Sequence, residues 1–122
     1  MSLRVTTSNI EPDIVVLHLS GSIIVSPETD ALESLLLDLL ADKSMKLVFD
    51  LIGIYEIEPA ATVVLVRCFF RTRSAGGQLR FAGANEQVLQ PFRTAALDTL
   101  LPFDASVAAA CEHFTRQAKT GG

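Results

Sequence analysis

The chain has 122 residues and a formal net charge of −4, with 49% hydrophobic and 20% charged residues. This composition is typical of one globular domain and excludes a disordered chain. The negative charge argues against nucleic acid and anionic membranes as partners, and no apolar run is long enough to span a bilayer. The N-terminus has no signal-peptide pattern. We therefore expect a single cytoplasmic domain over residues 1–122.

Alternation of apolar and polar residues predicts four strands. Residues 3–8 and 14–20 flank a turn and predict a hairpin, which glycine ends at Gly21. Two further strands are predicted at 46–51 and 78–83. One strand face is apolar and consists of Val15, Leu17, Leu19, Leu47, Phe49, Leu51, Leu79 and Phe81. The opposite face carries His18, Asp50, Gln78 and Arg80.

Capping residues predict where the helices begin. Ser26 and Pro27 start an amphipathic helix that ends near residue 42, and Asn85 caps another. Pro59 precedes an apolar helix from Ala60 to about residue 74, and Gly76 and Gly77 close it. Asp104 is the predicted cap of a last helix over 105–116, followed by an unstructured polar tail at 119–122. The inward residues of that helix are predicted to be Val107, Ala108, Cys111 and Phe114.

Strands that alternate with helices predict an α/β domain with parallel pairing and right-handed crossovers. Strands buried on both faces would be almost continuously apolar, whereas these strands alternate. We therefore expect a single mixed sheet of four to five strands, with four helices packed mainly on one face. The second face should be partly open.

Candidate chemical groups have structural interpretations that we favour over catalysis or metal binding. Glu56 and Glu58 lie two residues apart, but no nucleophile, metal-ligand set or oxyanion hole accompanies them. His18 and Asp50 share the polar sheet face, and Ser20 is too far along its strand to join them. The expected role of this pair is a solvated or cross-strand hydrogen bond.

Other groups that could carry chemistry are cysteines and arginines. Cys68 and Cys111 have no metal-ligand spacing and are expected to be reduced thiols in helices. Arg67, Arg71 and Arg73 predict a solvated helix face, with a basic strip for an acidic partner as the alternative. No cofactor, metal or catalytic residue is predicted.

The segment between the third strand and the central helix resembles the central motif of STAS domains, the anti-sigma-factor antagonist family. The matching residues run from Ile57 to Thr62, and the resemblance continues into the third helix and to Ala96, where glycine is usual. It places the family's acidic residue at Glu58 and the family's glycine at Ala61. The phosphorylated hydroxyl of the family falls on Ala60, which has no hydroxyl.

The resemblance implies a bacterial, non-catalytic module that regulates transcription or signalling by partner switching. The implied partner is an anti-sigma factor or a related kinase-fold regulator, and the oligomeric state stays open. The implied partner-binding residues are Ser22, Ser26, Tyr55, Glu56, Glu58, Pro59, Ala60, Ala61 and Thr62. The alternatives are a STAS-type sensor of a small ligand or nucleotide, with a pocket at the helix start, and a subunit of a transport complex.

Overall fold

The computed structural model describes residues 3–121, with side chains described for residues 3–114. Its strands are β1 (Arg4–Ile10), β2 (Ile14–Ile23), β3 (Lys46–Ile57), β4 (Gln78–Ala82) and β5 (Phe103–Asp104). Its helices are α1 (Pro27–Ala41), α2 (Thr62–Ser74), α3 (Glu86–Thr94) and α4 (Val107–Gly121). The strand order is β1-β2-β3-β4-β5, with β1 antiparallel to β2 and the other neighbours parallel. The predicted mixed sheet is confirmed.

A row of large apolar side chains crosses the sheet at one level. Leu17 pairs with Phe49, Phe49 pairs with Phe81, and Phe81 pairs with Phe103. The first three are fully buried, as predicted. The rings of Phe49 and Phe81 meet edge to face, with centroids 5.6 Å apart, and Phe92 of α3 packs on Phe103 with centroids 5.1 Å apart. Edge-to-face pairs add stabilisation beyond buried area.

Helices α1, α2 and α3 pack on this face through apolar stripes that include Leu36, Leu65 and Phe92. The second face carries a smaller core under α4, made of Ile14, Val16, Val48, Ala82, Ala110 and Phe114. The second face is therefore more covered than alternation predicted, because these strand positions are also apolar. Helix α4 lies mainly on β3, β4 and β5, and the β1 side of this face stays open.

Three predictions for the last helix differ from the structure. Asp104 does not cap α4, because it belongs to β5 and pairs with Ala82. Ser106 accepts the capping bond instead, from the backbone N–H of Ala109 at 3.1 Å. Within α4 Ala110 is buried, whereas Ala108, which was predicted to point inward, is exposed. The predicted tail over 119–122 is wrong up to Gly121, where α4 ends, and Gly122 lies outside the described residues.

Strand β2 continues past Gly21, which was expected to end it, and β3 continues past its predicted end at residue 51. Strand β2 passes Gly21, whose φ is +97°, and β3 passes Gly53. The register between the strands shifts twice here, as in β-bulges. A side chain at Gly53 would place its Cβ 2.8 Å from the Leu19 carbonyl oxygen. Glycine here therefore permits close strand pairing instead of breaking the strand.

The first prediction concerns the aromatic row. Phe49→Ala should lower the free energy of unfolding by about 3–5 kcal/mol, because it removes a buried aromatic ring and leaves a cavity. Phe70→Ala is the matched control, since Phe70 lies on the exposed side of α2. Urea unfolding of both variants measures the difference. A loss below about 1 kcal/mol for Phe49→Ala would contradict the central position given to this ring.

The end of α3 generates a second prediction. Leu97 N–H donates to the Phe92 carbonyl, and Ala96 N–H donates to the Arg93 carbonyl. This is the pattern of a Schellman motif, and Ala96 has the left-handed φ of +58° that it requires. A Cβ is unfavourable in this conformation, so Ala96→Gly should raise the free energy of unfolding by up to about 1 kcal/mol.

Ala95→Gly is the matched control, because Ala95 is the neighbouring exposed alanine and its φ is −90°. Glycine gains nothing at a negative φ and makes the unfolded chain more flexible, so this variant should be less stable than the wild type. Chemical denaturation of the two variants gives the comparison. If both variants lose the same free energy of unfolding, residue 96 carries no conformational strain.

Candidate functional site

The predicted site lies where β2 and β3 end, beside the start of α2. Ser22 pairs with Glu56, and Ile23 pairs with Ile57. Because the two strands are parallel, their carboxyl ends meet at one edge of the sheet. The chain leaves β2 towards α1 and leaves β3 towards α2. The nine predicted partner-binding residues therefore belong to chain segments that meet at this edge.

Two acidic side chains link the ends of these strands. Ser22 Oγ donates to Glu56 Oε1 at 3.2 Å. The backbone N–H of Val25 donates to Glu58 Oε2 at 2.9 Å, and the Glu58 N–H donates to the Ile23 carbonyl at 2.9 Å. Glu56 and Glu58 thus have separate hydrogen-bond partners, one in β2 and one in the connection to α1. Glu58 precedes the helix as expected, but its carboxylate holds the β2–α1 connection and makes no capping bond to the helix.

The helix start is a 3₁₀ turn over Pro59–Ala61, and the α-helical hydrogen bonding begins at Thr62. Ala61 and Thr62 are buried, and the Thr62 hydroxyl donates to the Pro59 carbonyl at 2.8 Å. Ala60 is exposed. Of the three residues that follow Pro59, Ala60 is the one that a partner could contact directly.

Exposed apolar side chains lie on the chain segments next to this turn. Val25 is 65% exposed, Val63 is 52% exposed and Tyr55 is 44% exposed. Large exposed apolar side chains that lie together are typical of interaction surfaces. Val63 is not among the residues predicted from the sequence. The available signal was its phase in α2, because it lies one turn before the exposed Arg67 and off the buried stripe of Val64 and Leu65.

The predicted partner-binding residues divide into two layers. Tyr55, Glu56, Glu58, Pro59 and Ala60 are exposed, and Ser26 is half-buried as the α1 N-cap, accepting from the Thr29 N–H at 3.3 Å. Ser22, Ala61 and Thr62 are buried and support the exposed residues from below. We call the exposed set, together with Val25 and Val63, the edge surface.

The arginines of α2 do not form an uncompensated basic strip. Arg67 Nε lies 3.0 Å from Glu33 Oε1, and Arg71 Nε lies 2.6 Å from Glu33 Oε2. Hydrogen bonds and charge from Arg67, and then from Arg71, hold the pKa of Glu33 below its ordinary value of 4.5, although burial of the carboxylate opposes this shift. These bonds tie α1 to α2 and favour the structural interpretation of Arg67 and Arg71.

Neither Cys68 nor Cys111 forms a disulfide. Cys68 lies in the main core, where burial raises the pKa of its thiol to about 12. Cys111 is half-buried, and burial raises its pKa as well. Both thiols are thus less nucleophilic than an exposed cysteine, since the thiolate is the reactive form. Within residues 3–114, no group of three or more His, Cys, Asp or Glu side chains could hold a metal ion.

A comparison with protein families decides the family. The model of the STAS domain matches residues 6–110. The chain belongs to the STAS domain family. The resemblance recognised from the motif is thereby confirmed. A search among curated proteins finds no match. Within the part of the chain that the structure describes, no helix is long and apolar enough to cross a membrane.

Solved structures of anti-sigma factor antagonists share the fold of this STAS domain. An anti-sigma factor antagonist from Mycobacterium paratuberculosis matches with a TM-score of 0.77 and 18% identity over 92% of this chain and 93% of its own. A variant of RsbS from Moorella thermoacetica matches with a TM-score of 0.79 and 15% identity, over 95% and 98% of the two chains. The phosphorylated form of the Bacillus cell fate determinant SpoIIAA matches with a TM-score of 0.68 and 8% identity, over 91% and 99%. At these identities the likeness shows the fold.

Proposed function

We propose that this STAS domain is a regulator that binds a protein partner through the edge surface, and that this binding role is non-catalytic. The proposed partner is an anti-sigma factor or a related kinase-fold regulator, and the proposed location is the bacterial cytoplasm. The observation that carries the proposal is the exposed apolar surface around Ala60, built at the edge where the family resemblance places the partner-binding residues. Solved anti-sigma factor antagonists of the same fold support this choice of partner.

The edge surface suits protein binding because it exposes three large apolar side chains beside two carboxylates, and because hydrogen bonds hold it in place. The bonds of Glu56 to Ser22 and of Glu58 to Val25 fix the ends of β2 and β3. A partner would therefore meet a surface whose backbone is already ordered. Preordered surfaces bind with a smaller entropic cost than loops that must first be immobilised.

The proposed regulation differs from a phosphorylation switch at the start of α2. A phosphate there would add about −1.5 to −2 charge units beside Glu58 and oppose an apolar interface by repulsion and desolvation. Ala60 has no hydroxyl to accept a phosphate. Thr62 has one, but this hydroxyl is buried and donates to the Pro59 carbonyl. We infer that the domain stays competent for binding and that control lies in its abundance or in its partner.

A small-molecule sensor is the second candidate function. A cavity of about 580 Å³ is lined by Phe69, Arg73, Gln78, Leu100 and neighbouring residues. Its volume suits a small ligand. Because Gln78 begins β4, the cavity lies at the amino end of that strand, away from the edge surface. Native mass spectrometry that finds a small molecule co-purified with the protein, lost on Phe69→Ala, would favour this function.

Charge at residue 60 tests the binding proposal. Ala60→Asp places a carboxylate on the edge surface, where it is favourable for the helix N-terminus but would be unpaired in an apolar interface. The melting temperature should stay within a few degrees of the wild type, while affinity for a kinase-fold anti-sigma factor from the same genome should fall by about tenfold or more. Isothermal titration calorimetry measures the affinity.

Ala75→Asp is the matched control for this variant. Ala75 is an exposed alanine at the opposite end of α2, where Arg71 and Arg73 can compensate the added charge. The affinity of this variant should match that of the wild type. If Ala60→Asp binds a partner as tightly as the wild type does, the interface lies elsewhere on the domain.

The missing hydroxyl generates a separate prediction. When the wild-type protein is incubated with ATP and a kinase-fold anti-sigma factor from the same genome, Thr62 should carry no stoichiometric phosphate. Ala60→Ser restores an exposed hydroxyl at the position of the family's phosphoacceptor, and this serine should become phosphorylated. Phosphopeptide mapping by mass spectrometry locates the phosphate. Full occupancy of Thr62 in the wild type would contradict the proposed loss of the switch.

A further inference from the structure

Three side chains on the open part of the second sheet face form a hydrogen-bonded line. Ser8 Oγ of β1 lies 2.7 Å from His18 Nε2 of β2. His18 Nδ1 lies 2.8 Å from Asp50 Oδ2 of β3. The two ring nitrogens of one histidine therefore hold a serine hydroxyl on one side and a carboxylate on the other. Serine, histidine and aspartate in this relation are the parts of an activated serine nucleophile.

The contacts set the roles of the three groups. The second carboxylate oxygen of Asp50 accepts the backbone N–H of Ile52 at 3.1 Å, which leaves Oδ2 directed at the histidine. A carboxylate accepts hydrogen bonds, so Nδ1 of a neutral His18 carries the ring proton. Nε2 then has a free lone pair and accepts the hydroxyl proton of Ser8. In this tautomer His18 is placed to act as a general base towards Ser8.

Sheet register brings these residues together from three separate strands. His18 pairs with Thr6 of β1 and with Asp50 of β3, and Ser8 is the diagonal neighbour of His18, two residues beyond Thr6. Ser20 was considered as the hydroxyl from the sequence, because it lies on the same strand as His18. Sequence spacing does not reveal the β1–β2 register, and so it does not reveal Ser8.

The serine is accessible to solvent. Ser8 is exposed, and the His18 side chain is 40% exposed, whereas the Asp50 side chain is only 12% exposed. Helix α4 covers mainly β3, β4 and β5. The carboxylate is thus shielded while the nucleophile faces outward, which is the distribution that a reactive serine requires.

We propose that Ser8 is a nucleophilic serine that accepts an acyl group from activated carboxylic esters. Ser8 Oγ attacks the ester carbonyl while its proton passes to His18 Nε2, and the bond from Oγ to the acyl carbon forms. The bond between the acyl carbon and the leaving-group oxygen then breaks, and His18 returns the proton to the departing alcohol. Ser8 is the nucleophile, His18 is the general base and acid, and Asp50 is a positioning residue that acts through His18.

One exposed apolar side chain beside Ser8 favours an apolar acyl group. Ile52 is 78% exposed and is bonded through its backbone to Asp50. Ile10 is exposed and lies two residues after Ser8, so alternation places it on the same face of β1. Ile10 therefore offers apolar contact beside the hydroxyl, whereas Ile52 lies beyond Asp50 and two strands away from Ser8. The site lies on the sheet face and uses none of the residues of the edge surface.

A fluorophosphonate probe tests the nucleophile, because its serine adduct is stable. The Ser8 Oγ–phosphorus bond forms as the phosphorus–fluorine bond breaks, fluoride leaves, and the hydroxyl proton passes to His18 and then to solvent. Mass spectrometry of the full chain and its peptides should locate one adduct at Ser8. The adduct should be lost in Ser8→Ala, whereas Thr6→Ala and Ser20→Ala, which remove other hydroxyls from the same sheet face, should be labelled at the wild-type rate.

The base and the positioning residue are tested by rates. His18→Ala should slow labelling by about 10²- to 10⁴-fold, the usual contribution of a general base. Free imidazole should restore part of this rate, which a purely structural role of His18 would not allow. Asp50→Asn should also slow labelling, because the amide favours the ring tautomer with its proton on Nε2. His18→Gln provides a second base-free variant if His18→Ala does not fold, and circular dichroism reports the fold of each.

Two results would overturn the proposal. One is labelling of Ser8 at the rate of Ser20 in the wild-type protein. The other is an unchanged labelling rate at Ser8 in folded His18→Gln. In either case the three side chains serve only to hold β1, β2 and β3 together. These outcomes do not bear on partner binding in the Ala60→Asp experiment. The proposal for Ser8 and the proposal for the edge surface are therefore tested independently.

Discussion

The registered contact of Leu17, Phe49, Phe81 and Phe103 is the constraint on which the rest of the structure depends. These residues come from β2 to β5, and a shift of any strand by one residue would turn its side chain to the other sheet face. The same register places His18 beside Asp50 on the opposite face. Two register shifts beyond this row then align Ser22 with Glu56 at one end of the sheet. The geometry at His18 thus follows from packing in the core, whereas that of the edge surface also depends on the two shifts.

Local sequence signals identify one sheet face and two helix caps. The face under α1, α2 and α3 follows the alternation of large apolar residues, and so Leu17, Phe49 and Phe81 were identifiable as core from the sequence. The caps at Ser26 and Asn85 were identifiable because their side chains act within their own helix turn. The mixed α/β sheet followed from these local signals together with the order of the strands and helices.

Features that depend on contacts distant in sequence were not predictable in the same way. Asp104 has the composition of a helix cap, but pairing with Arg80 at 2.6 Å and a place in β5 determine its role. Gly53 lies beyond the predicted end of β3, and its role depends on the Leu19 carbonyl across the strand pair. At the candidate site, the motif located the turn at Ala60. Burial of Ser22 and Thr62 and the partner of Glu58 required three-dimensional coordinates.

The bond between Glu58 and the Val25 N–H has a consequence for how the domain would meet a partner. It links the connection that enters α1 to the connection that enters α2, so the two connections are held in a fixed relative position at the sheet edge. An encounter complex could then become the bound complex without reordering these connections. Association should accordingly be limited by orientation and diffusion instead of by a conformational step, and differences in affinity between partners should be expressed mainly as differences in dissociation rate.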